Sequence, residues 1–280
     1  MKKNRKVTHI FNGNKTSDGD GVQLTRIIGT SELDMLDPFL MLDAFGSDKP
    51  LDYIGGFPSH PHRGFETVTY MLAGKMRHND SAGNEGVIEP GGIQWMTAGK
   101  GIIHSEMPEQ DQGLLAGLQL WVNLPASEKM TEPKYQEYGK QDVPTEQDDD
   151  GIKINVIAGT TKNGTSGIIK NDIINPIYWH VNINGHTDFN QLIPVGHNAF
   201  IYVLDGNISI GDDETNVNKG QLAVISNGSH VKLRSQDSGQ FVLIAGKPLN
   251  EPVARGGPFV MNTKQEIYQA FADYKSGRLA

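Results

Sequence analysis

Eight short segments, "FETVTYML", "GIQWMTA", "LQLWVNL", "IKINVIAG", "IYWHVNI", "AFIYVLDG", "QLAVIS" and "QFVLIAG", are rich in β-branched and aromatic residues and are punctuated by Gly, Asn or Asp. That rhythm predicts strands joined by tight turns, and its spacing is that of an all-β sandwich or barrel. One helix stands apart. In "NTKQEIYQAFADYKSG", Thr263 and Glu266 form a capping box, Ile267, Ala270, Phe271 and Tyr274 make an apolar face, and Gly277 is a stop. The helix is expected to dock on a sheet. The stretch "ASEKMTEPKYQEYGKQDVPTEQDDDG", with its prolines and the acidic run Glu146 to Asp150, reads as a linker between two halves. Asp148, Asp149 and Asp150 lack the alternate spacing and distal Glu of a calcium loop, so a solvated loop is expected, as at "GDDETN".

At 280 residues the chain has room for two ordinary domains. No apolar run approaches the ~20 residues that span a bilayer, and "MKKNRKVTHIFNG" lacks the apolar stretch of a secretory signal. A cytoplasmic location is expected. With no cysteine, disulfides, thiolate metal sites and a Cys nucleophile are excluded, so any metal must be held by nitrogen and oxygen. A formal net charge of −8 opposes general attraction to phosphate backbones, and neither nucleic-acid nor membrane binding is expected. The basic residues Lys2, Lys3, Arg5 and Lys6 read as a solvated tail.

A weak internal repeat supports two similar halves. "YMLAG" ending at Gly74 matches "YVLDG" ending at Gly206, and "GIQWMT" from Gly92 matches "GQLAVIS" from Gly220. The boundary is expected near residue 138, giving an N-terminal barrel over 1–138 and a second barrel with the terminal helix over 139–280.

The chemistry concentrates in "FPSHPHRGFETVTYMLAG" and "TAGKGIIHSEMPE". Residues two apart share a face of a strand, so His60, His62, Glu66, Val68 and Tyr70 are expected on one side, and His104 and Glu106 share a face on a later strand. Burying unpaired imidazoles and carboxylates costs several kcal/mol each, which a bound cation offsets. Histidine with glutamate suits Fe, Ni, Cu, Co, Mn or Zn. Counting along the repeat sets His60 and His62 opposite Leu192 and Pro194, and His104 and Glu106 opposite Lys232 and Arg234. The second barrel is therefore expected to hold no metal unless a shift brings in His230.

Together with "PLNEPVARGGPFVMNT", these stretches resemble the pirin family of the cupin superfamily. The resemblance implies two facing cupin (jelly-roll) β-barrels with a C-terminal α-helix and one mononuclear divalent metal, usually Fe(II), in the N-terminal barrel. It carries the ligand roles onto His60, His62, His104 and Glu106. The wider cupin pattern instead takes Glu66, which is expected near the metal as a supporting or substrate-facing group. His78 is read as a hairpin residue. Pirins similar to this chain show quercetin dioxygenase activity, in which a flavonol 3-hydroxyl loses a proton to Glu106 or Glu66 and the ring opens with O2, releasing carbon monoxide. Phe57, Trp95 and Met96 are expected to wall an apolar pocket between the barrels. Other pirins resemble regulators that act through a protein partner, and that is the alternative. The chain is expected to be a monomer.

Overall fold

A computed structural model describes residues 3–149, 151–235 and 237–280; Lys2 and Asp150 lie outside them. The chain divides into two compact units, each built from antiparallel sheets. One comprises residues 14–35, 39–140 and 249–280; the other comprises 1–13, 36–38 and 141–248.

In the first unit a seven-stranded sheet runs in the order Lys134–Tyr138, Ile93–Thr97, Phe65–Ala73, Leu115–Asn123, Phe39–Ser47, Val22–Ile28 and Asn14–Asp18. A four-stranded sheet runs Phe57–His62, Ile102–Pro108, Met76–Asp80 and Glu85–Ile88. The edge position of Phe57–His62 tolerates Pro58 and Pro61, whose missing N–H groups would break an interior ladder. Pro61 also holds the preceding His60 in extended backbone.

The two strands that flank Arg63 and Gly64 do not share one alternation. Gly64 has φ +87, a left-handed conformation that turns the chain from one sheet to the other. The faces are renumbered there, so Thr67 and Thr69 follow the histidines inward and Glu66 turns to the opposite face. A Cβ at Gly64 would lie 2.0 Å from the Val260 carbonyl oxygen, which shows how closely the C-terminal segment approaches.

That segment belongs to the first unit, not to the second barrel as the sequence suggested. The Ala254–Gly256 and Phe259–Met261 strands pair as a hairpin, and Phe259 bridges to Arg63. Helix Lys264–Lys275 has the expected Thr263/Glu266 capping box and packs Ile267 and Ala270 with Phe259 and Met261. Arg63 ties it down by an ion pair of 2.7 Å to Asp273. The predicted linker is also more structured than expected. It contains the Lys134–Tyr138 strand, and its Lys129 is buried, with Nζ donating to Gly64 O (2.8 Å), Asn123 Oδ1 (2.7 Å) and Val260 O (3.0 Å). Three acceptors match the three donors of an ammonium, although burial pushes its pKa down to about 8.

The second unit centres on a ten-stranded sheet system whose inner face is filled with Ile, Val, Leu and aromatic side chains, among them Trp179, Phe189 and Phe241. The N-terminal segment Val7–Phe11 joins this sheet beside Leu222–Ile225. Arg5 is therefore not a solvated tail residue. It is 1% exposed and donates to four carbonyls, of Gly228, His197, Ser226 and Pro194, at 2.9–3.1 Å.

The repeat is real but its second anchor is displaced by one residue. Gly91 N–H donates to Met71 O as Gly220 N–H donates to Val203 O, both at 2.8 Å, so Gly91 and not Gly92 corresponds to Gly220. His104 and Glu106 then correspond to the buried Leu233 and Ser235. Lys232 is exposed, and Arg234 pairs with Asp188 at 2.5 Å.

The close approach at Gly64 is testable against Gly83, which has φ +90 but nothing within 4 Å of where a Cβ would sit. Gly83→Ala is expected to cost about 1 kcal/mol from backbone strain alone, whereas Gly64→Ala is expected to cost roughly 3 kcal/mol or more. Urea denaturation of both variants measures the difference, and equal losses would remove the argued contact with Val260.

Candidate metal centre

Strand Ile102–Pro108 lies between Phe57–His62 and Met76–Asp80, so its inward residues meet partners on both sides. His104 is in register with His60 on one side and Asp80 on the other, and Glu106 with Phe57 and His78. A bulge between His104 and Glu106 accommodates the unequal spacing.

His60, His62 and His104 come together, with one ligand nitrogen from each all within 4.8 Å of one another. His60 Nδ1–H donates to Pro58 O (2.8 Å) and His62 Nδ1–H to Pro258 O (3.3 Å). Because a carbonyl only accepts, each Nδ1 carries a hydrogen, and in the neutral ring Nε2 is then a lone pair. The two Nε2 atoms are 3.0 Å apart. Two lone pairs facing each other repel, and a cation between them removes the repulsion. The separation also fits: ligands at about 2.1 Å from an ion and at right angles are about 3.0 Å apart, whereas tetrahedral ligands would be about 3.4 Å apart.

His104 is 1% exposed, and neither of its ring nitrogens has a hydrogen-bond partner. A buried imidazole without partners is costly unless something else occupies it. Burial, followed by the neighbouring His60, pushes His62 down to about 3, and burial with His62 and His60 holds His104 well below its ordinary value. Both are neutral at physiological pH, the form that binds a metal. The three histidines thus fit a divalent transition ion.

Glu106 lies two residues beyond His104 on the same inward face, but its carboxylate is outside this close group of donors. Thr69 Oγ1 donates to its Oε1 (2.7 Å), and Gln119 Nε2 reaches its Oε2 at 3.4 Å. These neutral donors aim the carboxylate without cancelling its charge, and each oxygen keeps a lone pair. Glu66 belongs neither to this donor group nor to the lining of the cavity described below. On the opposite face of its strand, it accepts from Thr97 Oγ1 at 2.8 Å. The expectation that Glu66 shares the face of the histidines counted alternation straight through Gly64.

His78 lies on a hairpin strand as read, pairing with Gly86, but it is also part of the buried polar cluster. It is fully buried, its ring lies 5.4 Å from that of His104 and 4.9 Å from that of Tyr135, and its Nε2 is 3.0 Å from Asp80 Oδ2. Burial alone would raise the Asp80 pKa, but hydrogen bonds from His78 and Asn84 hold it below its ordinary value. The signal was present in "MRHND": Met76, His78 and Asp80 share the inward parity of their strand.

A cavity of about 640 Å³ opens beside the histidines, lined by His60, His62 and Glu106 and walled in part by Leu24, Leu40, Met41, Phe45, Trp121 and Val260. It lies wholly within the first unit. Phe57 lines it as expected. Trp95 and Met96 do not: both are buried in the core, Met96 packing with Ala98 and Ile102.

Comparison with known proteins agrees with this architecture. The pirin family model matches residues 21–122, and that of the pirin C-terminal cupin domain matches residues 178–280. A pirin-like protein of Caulobacter vibrioides is 49% identical over 98% of this chain and 99% of its own. Human pirin is 42% identical over 99% of this chain and 95% of its own. Among solved structures, a quercetin 2,3-dioxygenase from Acinetobacter baumannii superimposes with a TM-score of 0.91 at 34% identity, covering 99% of each chain. Two cupin barrels are therefore the fold. Among the described residues, no helix is long and apolar enough to cross a membrane.

The metal assignment predicts a sharp contrast between neighbouring polar residues. His104→Ala and His62→Ala are expected to lose at least ten-fold in metal affinity, while Glu66→Gln keeps stoichiometric metal. Elemental analysis after dialysis against a weak chelator is the measurement, and metal retained by both histidine variants would overturn the assignment.

Proposed function

The chain belongs to the pirin family, and from that premise we propose that it is a metal-dependent dioxygenase that opens the ring of a quercetin-like flavonol with O2 and releases carbon monoxide. The observation that carries this reading is the convergence of three imidazoles, two of which line a cavity with apolar wall residues that also presents an oriented carboxylate. Its likeness to the Acinetobacter baumannii quercetin 2,3-dioxygenase supports the substrate class.

His60, His62 and His104 hold the ion in this proposal, with Glu106 completing the protein ligand set. Fe(II) is the ion assigned, ahead of Ni, Cu, Co, Mn or Zn. A bound divalent transition ion supplies Lewis acidity toward an enol oxygen and a route for electrons to O2. The chain's own residues do the rest. Leu24, Phe45 and Trp121 offer apolar surface to the aromatic rings and exclude water from them. Glu106 receives the proton of the 3-hydroxyl, and the hydrogen bonds from Thr69 and Gln119 keep its carboxylate aimed while that proton moves. The carbonyls of Pro58 and Pro258 keep His60 and His62 in the tautomer that presents Nε2.

The test is carbon monoxide release and O2 uptake from quercetin by protein reconstituted separately with each ion. One ion is expected to restore turnover, and Glu106→Gln, loaded to equal metal content, is expected to lower kcat by roughly 10²–10⁴-fold, the usual worth of a positioned base. Tightly held metal with no turnover under any reconstitution would sink the dioxygenase reading in favour of a regulatory role through a protein partner.

A further inference from the structure

The cavity contains two arginines in different states. Arg26 turns its Nε and Nη2 edge onto Asp43, with bonds of 2.9 and 2.7 Å, and Nη2 also meets Asp18 at 2.8 Å. Its charge is matched twice over. Arg255 spends only Nη1, which donates to the Asp34 backbone oxygen at 3.0 Å and approaches the Asp34 carboxylate at 3.5 Å. That carboxylate is 81% exposed, so solvent screens the pair. Among the described residues, the Nε and Nη2 edge of Arg255 has no partner, and the residue lines the cavity with 29% of its side chain exposed. This is the same edge with which Arg26 grips a carboxylate, and it is the geometry suited to a planar anion.

We propose that Arg255 is a specificity-determining residue that binds an anionic group, such as a carboxylate, on an aromatic substrate whose enol end meets the histidines. The proposal rests on the dioxygenase reading for the enol end and adds the recognition of the other. The placement follows from the hairpin. Arg255 is in register with Val260, and the turn between them carries Pro258, whose carbonyl holds His62. Pro258 follows Arg255 by three positions, a span on the order of 10 Å at most. The cationic edge and the metal edge therefore sit on one short, hydrogen-bonded element, with apolar wall from Trp121 and Val260 in the same cavity. Burial also lowers the Arg255 pKa, as expected of a guanidinium that has given up water without a full set of partners.

Calorimetric titration of the metal-loaded full chain with 3-hydroxyflavone, and with the same flavonol bearing a carboxylate on either terminal ring, tests the proposal. The wild type is expected to bind one of the carboxylates roughly 10–100-fold more tightly than the uncharged flavonol. Arg255→Gln is expected to abolish that ratio and Arg255→Lys to restore part of it, because an ammonium attracts an anion but lacks the fork. Arg234→Gln, on the second unit, keeps the wild-type ratio. Thermal midpoints of the variants within a few degrees of wild type exclude misfolding. No preference in the wild type, no binding of any of these probes, or an unchanged ratio in Arg255→Gln would each overturn the assignment. Turnover is read separately: a preference that depends on Arg255 without carbon monoxide release would retain the anion site and remove the dioxygenase reading.

Discussion

Two imidazole Nε2 atoms held 3.0 Å apart in a partly buried wall are the constraint on which the metal-site wall depends. Backbone carbonyls at Pro58 and Pro258 take both Nδ1 protons, so rotation or tautomer exchange would break a hydrogen bond to relieve the repulsion. The site is preorganised for a cation by groups that never touch it. His104, buried without a partner, adds the third nitrogen from the neighbouring strand.

That hairpin explains why the unit recruits chain from its far end. Pro258 holds His62, Val260 receives Lys129, Phe259 bridges Arg63, and Arg63 pairs with Asp273 on the terminal helix. Each link is modest, but together they enclose the histidine strand on the side where an edge strand has no ladder partner. The second unit takes its own distant segment differently. There Arg5 satisfies four carbonyls at once, and Val7–Phe11 extends the sheet. Its inner face is packed with aliphatic side chains, and Leu233 stands where the first unit has His104.

The all-β class, the capped helix and the three histidines were legible from local pattern. Each depends on neighbours within a few residues: alternation along a strand, a Thr263 to Glu266 spacing, an H-x-H pair around a proline. Two of the errors are errors of local counting. Gly64 reverses the face seen by Glu66, and a one-residue offset at Gly91 moved the second-barrel equivalents from Leu233 and Ser235 to Lys232 and Arg234. His78 was read as a hairpin residue, which it is, but the parity rule that found His104 also made its burial legible. Arg5 and Lys129 could not have been placed from sequence, because a buried cation is recognised only by the carbonyls that surround it.

By itself the sequence determined that this chain makes β-sheets and carries three imidazoles in strand register, since side-chain alternation is a property of the backbone. It also excluded thiolate chemistry by containing no cysteine. Tertiary structure alone decided which glutamate lines the cavity, which nitrogen His62 presents and which arginine keeps an open edge. Those outcomes depend on partners such as Gln119, 13 residues from Glu106, Pro258, 196 from His62, and Asp34, 221 from Arg255. Only folding brings such partners within bonding distance.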